Sequence, residues 1–230
     1  MRDEVTSVAI APSTKEQLVR TAERLFALHG IDGVSLRQIA VEAGNANNSA
    51  VQYHFGTKEN LIQAVFEYRV PQLARRRRWL AEQRPAGDLR SCVECYLLPM
   101  VEEAEQEDSY YLTFLAQLQT VGTGDHPFDR LSDSLKAPTY EFYRMMRTLL
   151  PQVPETLLSN RLERALAVCM HACSDRAAAR RHGSPVLPFP LHVSDLFDGL
   201  VGFLEAPVSP STLEALTEME TPLRPRFAVP

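Results

Sequence analysis

The chain has 230 residues, of which 45 % are hydrophobic and 23 % are charged. This composition is ordinary for a soluble globular protein with a sizeable core. No run of 18 apolar residues occurs, which argues against a membrane span. The first 14 residues contain no apolar block typical of a secretory signal, and four cysteines are too few for a disulfide scaffold. We therefore expect a cytoplasmic protein.

The formal net charge of −5 is unevenly distributed along the chain. Residues 14–80 contain ten Lys or Arg against six Asp or Glu, whereas residues 81–230 contain 13 against 21. The first part is therefore basic and the second acidic, an arrangement that directs the basic end of a molecule toward phosphate. Four of the ten basic residues form the run Arg75–Arg78, whose side chains point all round a helix, so we interpret it as a solvated run.

Short helices are predicted in the first 60 residues, because apolar residues recur there at helical spacing between capping residues and glycines. The predicted N-caps are Ser13 or Thr14, Ser35 and Thr57. The predicted helix ends are Gly30, Gly44 and Gly56. Three short helices before a longer fourth one, with a tight turn between the second and third, are typical of a helix-turn-helix unit, although a small helical bundle has the same pattern.

The rest of the chain also predicts helices, and no strand alternation occurs. Pro71 is expected to kink or end the fourth helix, with helix again over Gln72–Gln83. The later predicted helices are Asp88–Gln106, Tyr110–Val121, Phe128–Leu150, Glu155–His182 and Val193–Glu205. Five prolines follow residue 206, and one short helix is predicted near Thr212–Met219. The last ten residues are expected to be loose unless they pack on a partner. We expect an all-α protein with a flexible N-terminus (1–13), a head (14–68), a helical body (69–206) and a Pro-rich tail (207–230).

Residues 14–68 resemble the DNA-binding head of the TetR family of bacterial repressors. The resemblance is carried by Ala22-Glu23-Arg24-Leu25-Phe26, by Gly33-Val34-Ser35-Leu36-Arg37-Gln38-Ile39-Ala40 with Glu42-Ala43-Gly44, and by Tyr53-His54-Phe55-Gly56-Thr57-Lys58-Glu59-Asn60-Leu61. It covers about a quarter of the chain, and the body has no resemblance beyond its helicity and length. The family commonly has one residue fewer between Gly44 and Tyr53 and a basic residue in the third helix, which this chain lacks.

The resemblance implies that the head binds double-stranded DNA. Asn47, Asn48, Ser49 and Gln52 are the polar residues near the start of the third helix, and Asn and Gln can pair with adenine in the major groove. The residues expected to contact phosphate are Ser35, Arg37, Tyr53, His54, Thr57 and Lys58. The alternatives are that Asn47 and Asn48 only cap the helix, that Gln52 faces solvent, and that Tyr53 and His54 are packing residues.

The resemblance also implies a small, apolar effector bound in the body, where aromatic and Met side chains recur. The candidate ligand-binding residues are Tyr96, Met100, Phe114, Leu118, Tyr143, Met146, Met170 and His171. For each of these side chains the alternative is an ordinary place in the core.

A homodimer is expected through Glu155–His182 and Val193–Glu205, whose apolar stripes would form a four-helix interface as in the resembled family. These stripes consist of Leu158, Leu162, Ala165, Leu166 and Cys169, and of Leu196, Leu200 and Phe203. The implied function is a ligand-responsive regulator, most simply a repressor, that binds a palindromic operator. The alternative is a helical interaction or adaptor protein whose head is only structural.

No metal, cofactor or enzymatic activity is predicted. The cysteine pairs Cys92/Cys95 and Cys169/Cys173 lie at i,i+3 and i,i+4 within single predicted helices, and His171 points away from both neighbouring cysteines. A structural zinc site needs four converging ligands, so we interpret the cysteines as core residues. The chain also lacks a Gly-rich phosphate loop, a nucleophile elbow and a two-His zinc motif.

Overall fold

The computed structural model describes residues 13–44, 49–83, 87–120 and 126–219. These residues form ten α-helices and one 3₁₀ helix and contain no strand, which confirms the all-α prediction. The head comprises α1 (Thr14–His29), α2 (Leu36–Glu42) and α3 (Ser49–His54), followed by α4 (Lys58–Gln83). The body comprises α5 (Leu89–Ala104), α6 (Tyr111–Thr120), η1 (Pro127–Arg130), α7 (Asp133–Leu149), α8 (Glu155–Arg181), α9 (Phe189–Glu205) and α10 (Pro210–Thr217).

The predicted caps set the limits of the head helices. The Ser13 hydroxyl accepts a hydrogen bond from the Glu16 backbone N–H at 3.2 Å, and Gly30 ends α1 with a φ of 76°. Ser35 forms a capping box with Gln38 at the start of α2. Thr57 accepts from the Asn60 backbone N–H at 3.2 Å at the start of α4. Each cap satisfies backbone donors that the first turn of a helix leaves without partners.

Helix α4 runs from the head into the body without interruption. Pro71, which was expected to kink or end the fourth helix, lies inside this 26-residue helix and does not end it. Arg69, Val70 and Leu73 are buried on either side of Pro71, and this packing holds the helix together across the missing N–H. The boundary expected between residues 68 and 69 therefore falls within one continuous helix.

The predicted helix Phe128–Leu150 is divided in the structure. Leu131 has extended backbone dihedrals of φ −68° and ψ 154°, and its buried side chain separates η1 from α7. Ser132 stands at the N-cap of α7, so a capping signal was present within the predicted helix. Helix α9 begins at Phe189, four residues earlier than expected, because Pro188 and Pro190 lie at positions that suit a helix start.

Head and body share one hydrophobic core. Helix α1 packs against α6, α6 against α8, and α8 against α9. At the junction the ring of Phe114 lies 6.1 Å from the ring of Phe26 in the head and 6.1 Å from that of Phe66 on α4, measured between centroids. The head is therefore seated on the body through an aromatic cluster.

Candidate nucleic-acid interface and body cavity

Helix α3 presents polar side chains to solvent. Gln52, Tyr53 and His54 are all exposed, and Tyr53 is 86 % exposed. Val51 and Phe55 are buried and fix the opposite side of the helix in the head core. The Tyr53 ring contacts the edge of the neighbouring His54 ring, at 5.2 Å between centroids, and is otherwise open to solvent. A side chain so exposed is available to a partner, which disfavours the alternative that Tyr53 is a packing residue.

The other residues predicted to contact DNA differ in their exposure and in their hydrogen bonds within the head. Asn47 and Asn48 lie outside the described residues, and Ser49 is the first residue of α3. Ser35, Arg37 and Thr57 are exposed at or near the starts of α2 and α4. The hydroxyls of Ser35 and Thr57 cap those helices, so both are already engaged within the head.

Lys58 is half-buried, and its Nζ donates a hydrogen bond to the backbone carbonyl of Ile31 at 2.9 Å. This contact joins the start of α4 to the linker between α1 and α2. A phosphate at this position has to compete with that carbonyl for the ammonium group. The Lys58 side chain thus has a role in holding the head together, in addition to the predicted contact with DNA.

The body contains a cavity of about 150 Å³ bounded by helices α4 to α9. Its lining is mainly aromatic and aliphatic, with a few polar groups, as in binding sites for small organic ligands. Among the predicted ligand-binding residues, Tyr96, Met100, Tyr143 and Met170 line this cavity. Phe114 and Met146 are fully buried elsewhere in the core, and Leu118 packs against the core outside the lining.

His171 is exposed on α8 and does not line the cavity, so its expected place in the body interior is wrong. Its neighbour Met170 is buried and faces inward. Adjacent residues on a helix point about 100° apart, which explains why one of the two lies inside and the other outside.

Helix α4 provides cavity residues that were not among the predicted ligand-binding residues. Phe66, Val70, Leu73 and Arg77 all line the cavity, and their spacing of four, three and four residues defines one face of a helix. The same periodicity is visible in the sequence, but Arg77 belongs to the run Arg75–Arg78 that was interpreted as solvated.

The run Arg75–Arg78 is divided between solvent and body. Arg75 and Arg78 are exposed, as expected. Arg76 forms two hydrogen bonds of 2.8 Å with the carboxylate of Glu102, and Arg77 lies against the cavity. The interpretation of the run as solvated is therefore wrong for Arg76 and Arg77, because α4 turns one of its faces toward α5 at this level.

Polar groups in the cavity are arranged around Tyr96. The hydroxyls of Tyr96 and Thr139 are hydrogen-bonded at 2.9 Å, and Arg77 Nε donates to the Tyr96 carbonyl at 2.9 Å. The Tyr111 ring also lines the cavity, and burial raises the pKa of its phenol well above the ordinary value, so this phenol stays neutral.

A buried ion pair connects head, α4 and body. The Arg69 guanidinium donates to both carboxylate oxygens of Glu23 on α1, at 2.6 and 2.7 Å, and also to the carboxylate of Glu103 on α5. The Tyr110 backbone N–H donates to Glu23 at 3.1 Å. Glu23 is 1 % exposed, so its charge depends on these donors for the hydrogen bonds that water would otherwise supply.

None of the four cysteines forms a disulfide bond. Cys92, Cys169 and Cys173 are buried, whereas Cys95 is half-buried. Across the residues that the structure describes, no cluster of three or more His, Cys, Asp or Glu side chains has an arrangement suited to a metal ion. Within the same residues, no helix is both long enough and apolar enough to cross a lipid bilayer.

Family models match both parts of the chain. The family model described as "Bacterial regulatory proteins, tetR family" matches residues 18–65. The model described as "Tetracyclin repressor-like, C-terminal domain" matches residues 94–206, which extends the resemblance to the body. The HTH-type transcriptional repressor AcnR of Corynebacterium glutamicum is 36 % identical over 53 residues, or 23 % of this chain. That alignment spans 28 % of the length of the relative. The chain belongs to the TetR family of bacterial regulatory proteins.

Proposed function

We propose that this protein is a ligand-responsive transcriptional repressor, without enzymatic activity, that acts in the bacterial cytoplasm. In this proposal a homodimer binds a palindromic operator, and binding of a small, predominantly apolar effector releases the dimer from the DNA. The observation that carries the proposal is that one helix, α4, belongs both to the core of the head and to the lining of the body cavity. Leu61 on this helix is packed in the head core, while Val70 and Leu73 line the body cavity. A ligand in the cavity therefore touches the helix that supports the DNA-binding head.

The DNA-facing surface in this proposal is the exposed side of α3 with the adjoining helix starts. Gln52 reads base edges in the major groove, and Tyr53 and His54 contact the phosphate backbone. Arg37 on α2 is exposed and adds a positive charge to the same end of the chain. The basic balance of residues 14–80 supports this orientation toward DNA.

Release by the effector requires only that the ligand bind one arrangement of the heads better than the other. The cavity is small at about 150 Å³, so a larger ligand must displace part of its lining. Phe66 lines the cavity and also contacts the Phe114 ring at the junction of head and body. Displacement of α4 in this region would alter the placement of both heads on the operator.

The dimer is proposed to form through α8 and α9. Most of the apolar stripes expected at the interface, including Leu158, Leu162 and Leu200, are instead buried within one protomer. The same two helices nevertheless carry exposed apolar side chains. These are Val168, Leu191 and Phe203, which are 52, 52 and 37 % exposed. Exposed apolar groups on neighbouring helices support an interface with a second copy.

The proposal is tested by a gel shift of the purified protein against DNA that flanks its own gene, at two salt concentrations. We expect a discrete complex that weakens as salt rises, because neutralised phosphates release counterions. Tyr53→Ala should weaken binding, whereas Trp79→Ala, which removes an exposed aromatic on the body part of α4, should not. If no DNA is bound, including sequences selected from a random pool, the head is structural and the protein is a helical interaction protein.

A further inference from the structure

A second cavity, of about 300 Å³, adjoins the first between α4, α5 and α7. We refer to the cavity of about 150 Å³ described above as the inner cavity and to this one as the outer cavity. Arg77, Tyr96 and Phe142 line both of them. These three side chains therefore form the wall between the inner and outer cavities.

The wall is a stack of three planar groups. The guanidinium carbon of Arg77 lies 3.9 Å from the centroid of the Tyr96 ring. The Tyr96 and Phe142 rings lie 4.0 Å apart with an interplanar angle of 6°. The hydrogen bond from Arg77 Nε to the Tyr96 carbonyl, at 2.9 Å, fixes the guanidinium in this position. Arg77 is thus positioned at the boundary of the two cavities by the ring and the carbonyl of Tyr96.

Arg77 differs from Arg69 and Arg76, the other half-buried or buried arginines of α4, because its charge is not paired with a carboxylate of the described residues. Arg69 and Arg76 are each paired with carboxylates, from Glu23 and Glu103 and from Glu102. Among the residues that the structure describes, no carboxylate forms an ion pair with Arg77, whose partners are the carbonyl and the ring of Tyr96. A half-buried guanidinium has five N–H donors, and an anion placed beside it would use those that remain.

Three other Arg or Glu side chains lie on the two linings. Arg78 and Glu141, which both line the outer cavity, are exposed, so solvent screens the effect of each charge on an anion beside Arg77. Glu163 lines the inner cavity from α8, so an anionic group is favoured on the α4 side of that cavity and disfavoured near Glu163.

We propose that the effector is an aromatic monocarboxylate whose ring occupies the inner cavity and whose carboxylate binds the Arg77 guanidinium. This rests on the proposed function in that it takes the inner cavity as the effector site. An apolar cavity of about 150 Å³ accommodates a molecule the size of benzene. Its lining includes Phe66, Tyr111, Phe128 and Tyr143, against which an aromatic ring packs favourably. The planar guanidinium matches the geometry of a carboxylate.

The test is isothermal titration calorimetry of the full chain, without DNA, using 3-phenylpropionate and its neutral isostere 3-phenylpropionamide. We expect the unsubstituted protein to bind the acid about tenfold or more tightly than the amide, because an ion pair with the Arg77 guanidinium replaces a hydrogen bond from that cation to a neutral carbonyl. Arg77→Gln should abolish this preference. Arg75→Gln removes the same charge from an exposed position of the same run that lines neither cavity, and it should retain the preference.

Thermal unfolding of each variant is measured in parallel, because Arg77 also bonds to the Tyr96 backbone. If Arg77→Gln does not fold, Arg77→Lys serves in its place, and we expect it to reduce the preference several-fold by removing the planar fork. The proposal is overturned by equal binding of acid and amide, by a preference that both Arg77 variants retain, or by no saturable binding of the acid up to about 10 mM. Because no DNA is present, these outcomes are independent of the gel shift that tests the proposed function.

Discussion

The Arg69 guanidinium binds both carboxylate oxygens of Glu23, 46 residues earlier in the chain, at 2.6 and 2.7 Å. The pair joins α4 to α1 beneath the surface, with Arg69 7 % and Glu23 1 % exposed. Arg69 also binds Glu103 on α5, so one cation is shared between the head and the body. This arrangement makes Arg69 the charged centre of the contact through which head and body are held together.

Arg69→Ala should lower the free energy of unfolding by about 3–5 kcal/mol, because it leaves the Glu23 carboxylate buried without its cation. Denaturant unfolding followed by circular dichroism measures this loss. Arg24→Ala is the matched control, since Arg24 pairs with Glu42 at 2.8 Å where both side chains are substantially exposed. That substitution should cost about 1 kcal/mol or less. Similar losses for the two variants would contradict the importance assigned to the buried pair.

Lys58→Ala should affect both stability and DNA binding. Loss of the hydrogen bond to the Ile31 carbonyl should lower the free energy of unfolding by about 1 kcal/mol. Arg37→Ala, which alters an exposed side chain on α2, should leave stability within about 0.5 kcal/mol and weaken DNA binding alone. Thermal melts and gel shifts on both variants separate the two effects. An unchanged melt for Lys58→Ala would indicate that the Ile31 contact contributes nothing.

Phe203→Arg should weaken or abolish dimerisation, because it places a charge among the exposed apolar side chains of α8 and α9. Light scattering coupled to size-exclusion chromatography reports the mass directly. Leu28→Arg is the control, since Leu28 is exposed to a similar degree (46 % against 37 %) but lies on α1 in the head. We expect Leu28→Arg to remain dimeric at concentrations where Phe203→Arg is monomeric. Dimers for both variants would place the interface elsewhere.

Burial raises the pKa of the Cys92 thiol to about 12, so this thiol is protonated at pH 8. Iodoacetamide reacts with thiolate, and we therefore expect Cys92 to be alkylated slowly in the folded protein. The half-buried Cys95 should react first, and all four cysteines should react in denaturant. Peptide mass spectrometry distinguishes the positions. Equal rates for Cys92 in the folded and denatured protein would contradict the burial of its sulfur.

The same shift gives Cys92 a contribution to the pH dependence of stability. The unfolded chain loses the thiol proton near the ordinary pKa of about 8.5, while the folded protein retains it up to about 12. The free energy of unfolding should therefore fall as pH rises above roughly 8.5. Cys92→Ala should remove this part of the decline, which unfolding curves at pH 8 and pH 10 can measure.

Local signals predicted the head closely. At each of the caps Ser13, Ser35 and Thr57, a side chain accepts a hydrogen bond from the backbone N–H three residues later. Such local contacts can be predicted from the sequence. The predicted ends of helices were wrong where tertiary packing determines whether a helix continues. Pro71 does not end α4, since buried neighbours hold the helix, and Leu131 divides a predicted helix because its side chain is drawn into the core.

Periodicity located the body cavity only in part. It identified which body helices carry aromatic residues, and Tyr96, Met100, Tyr143 and Met170 do line the cavity. It did not distinguish the cavity from the solid core around Phe114 and Met146, because both environments select the same residue types. The place of Arg77 at the cavity depends on which face α4 turns toward α5, and a run of four arginines does not indicate that face.

The most direct test of the central claim is selection of DNA from a random pool by the purified full-length protein, with Gln52→Ala/Tyr53→Ala as the parallel sample. We predict enrichment of an inverted repeat whose half-site centres lie about one helical turn, roughly 10 bp, or a multiple of a turn apart. The double variant should lose that enrichment while its melting temperature is unchanged, because both side chains are exposed. No enriched sequence, or the same sequence enriched equally by the variant, would contradict the assignment of α3 as the DNA-reading surface.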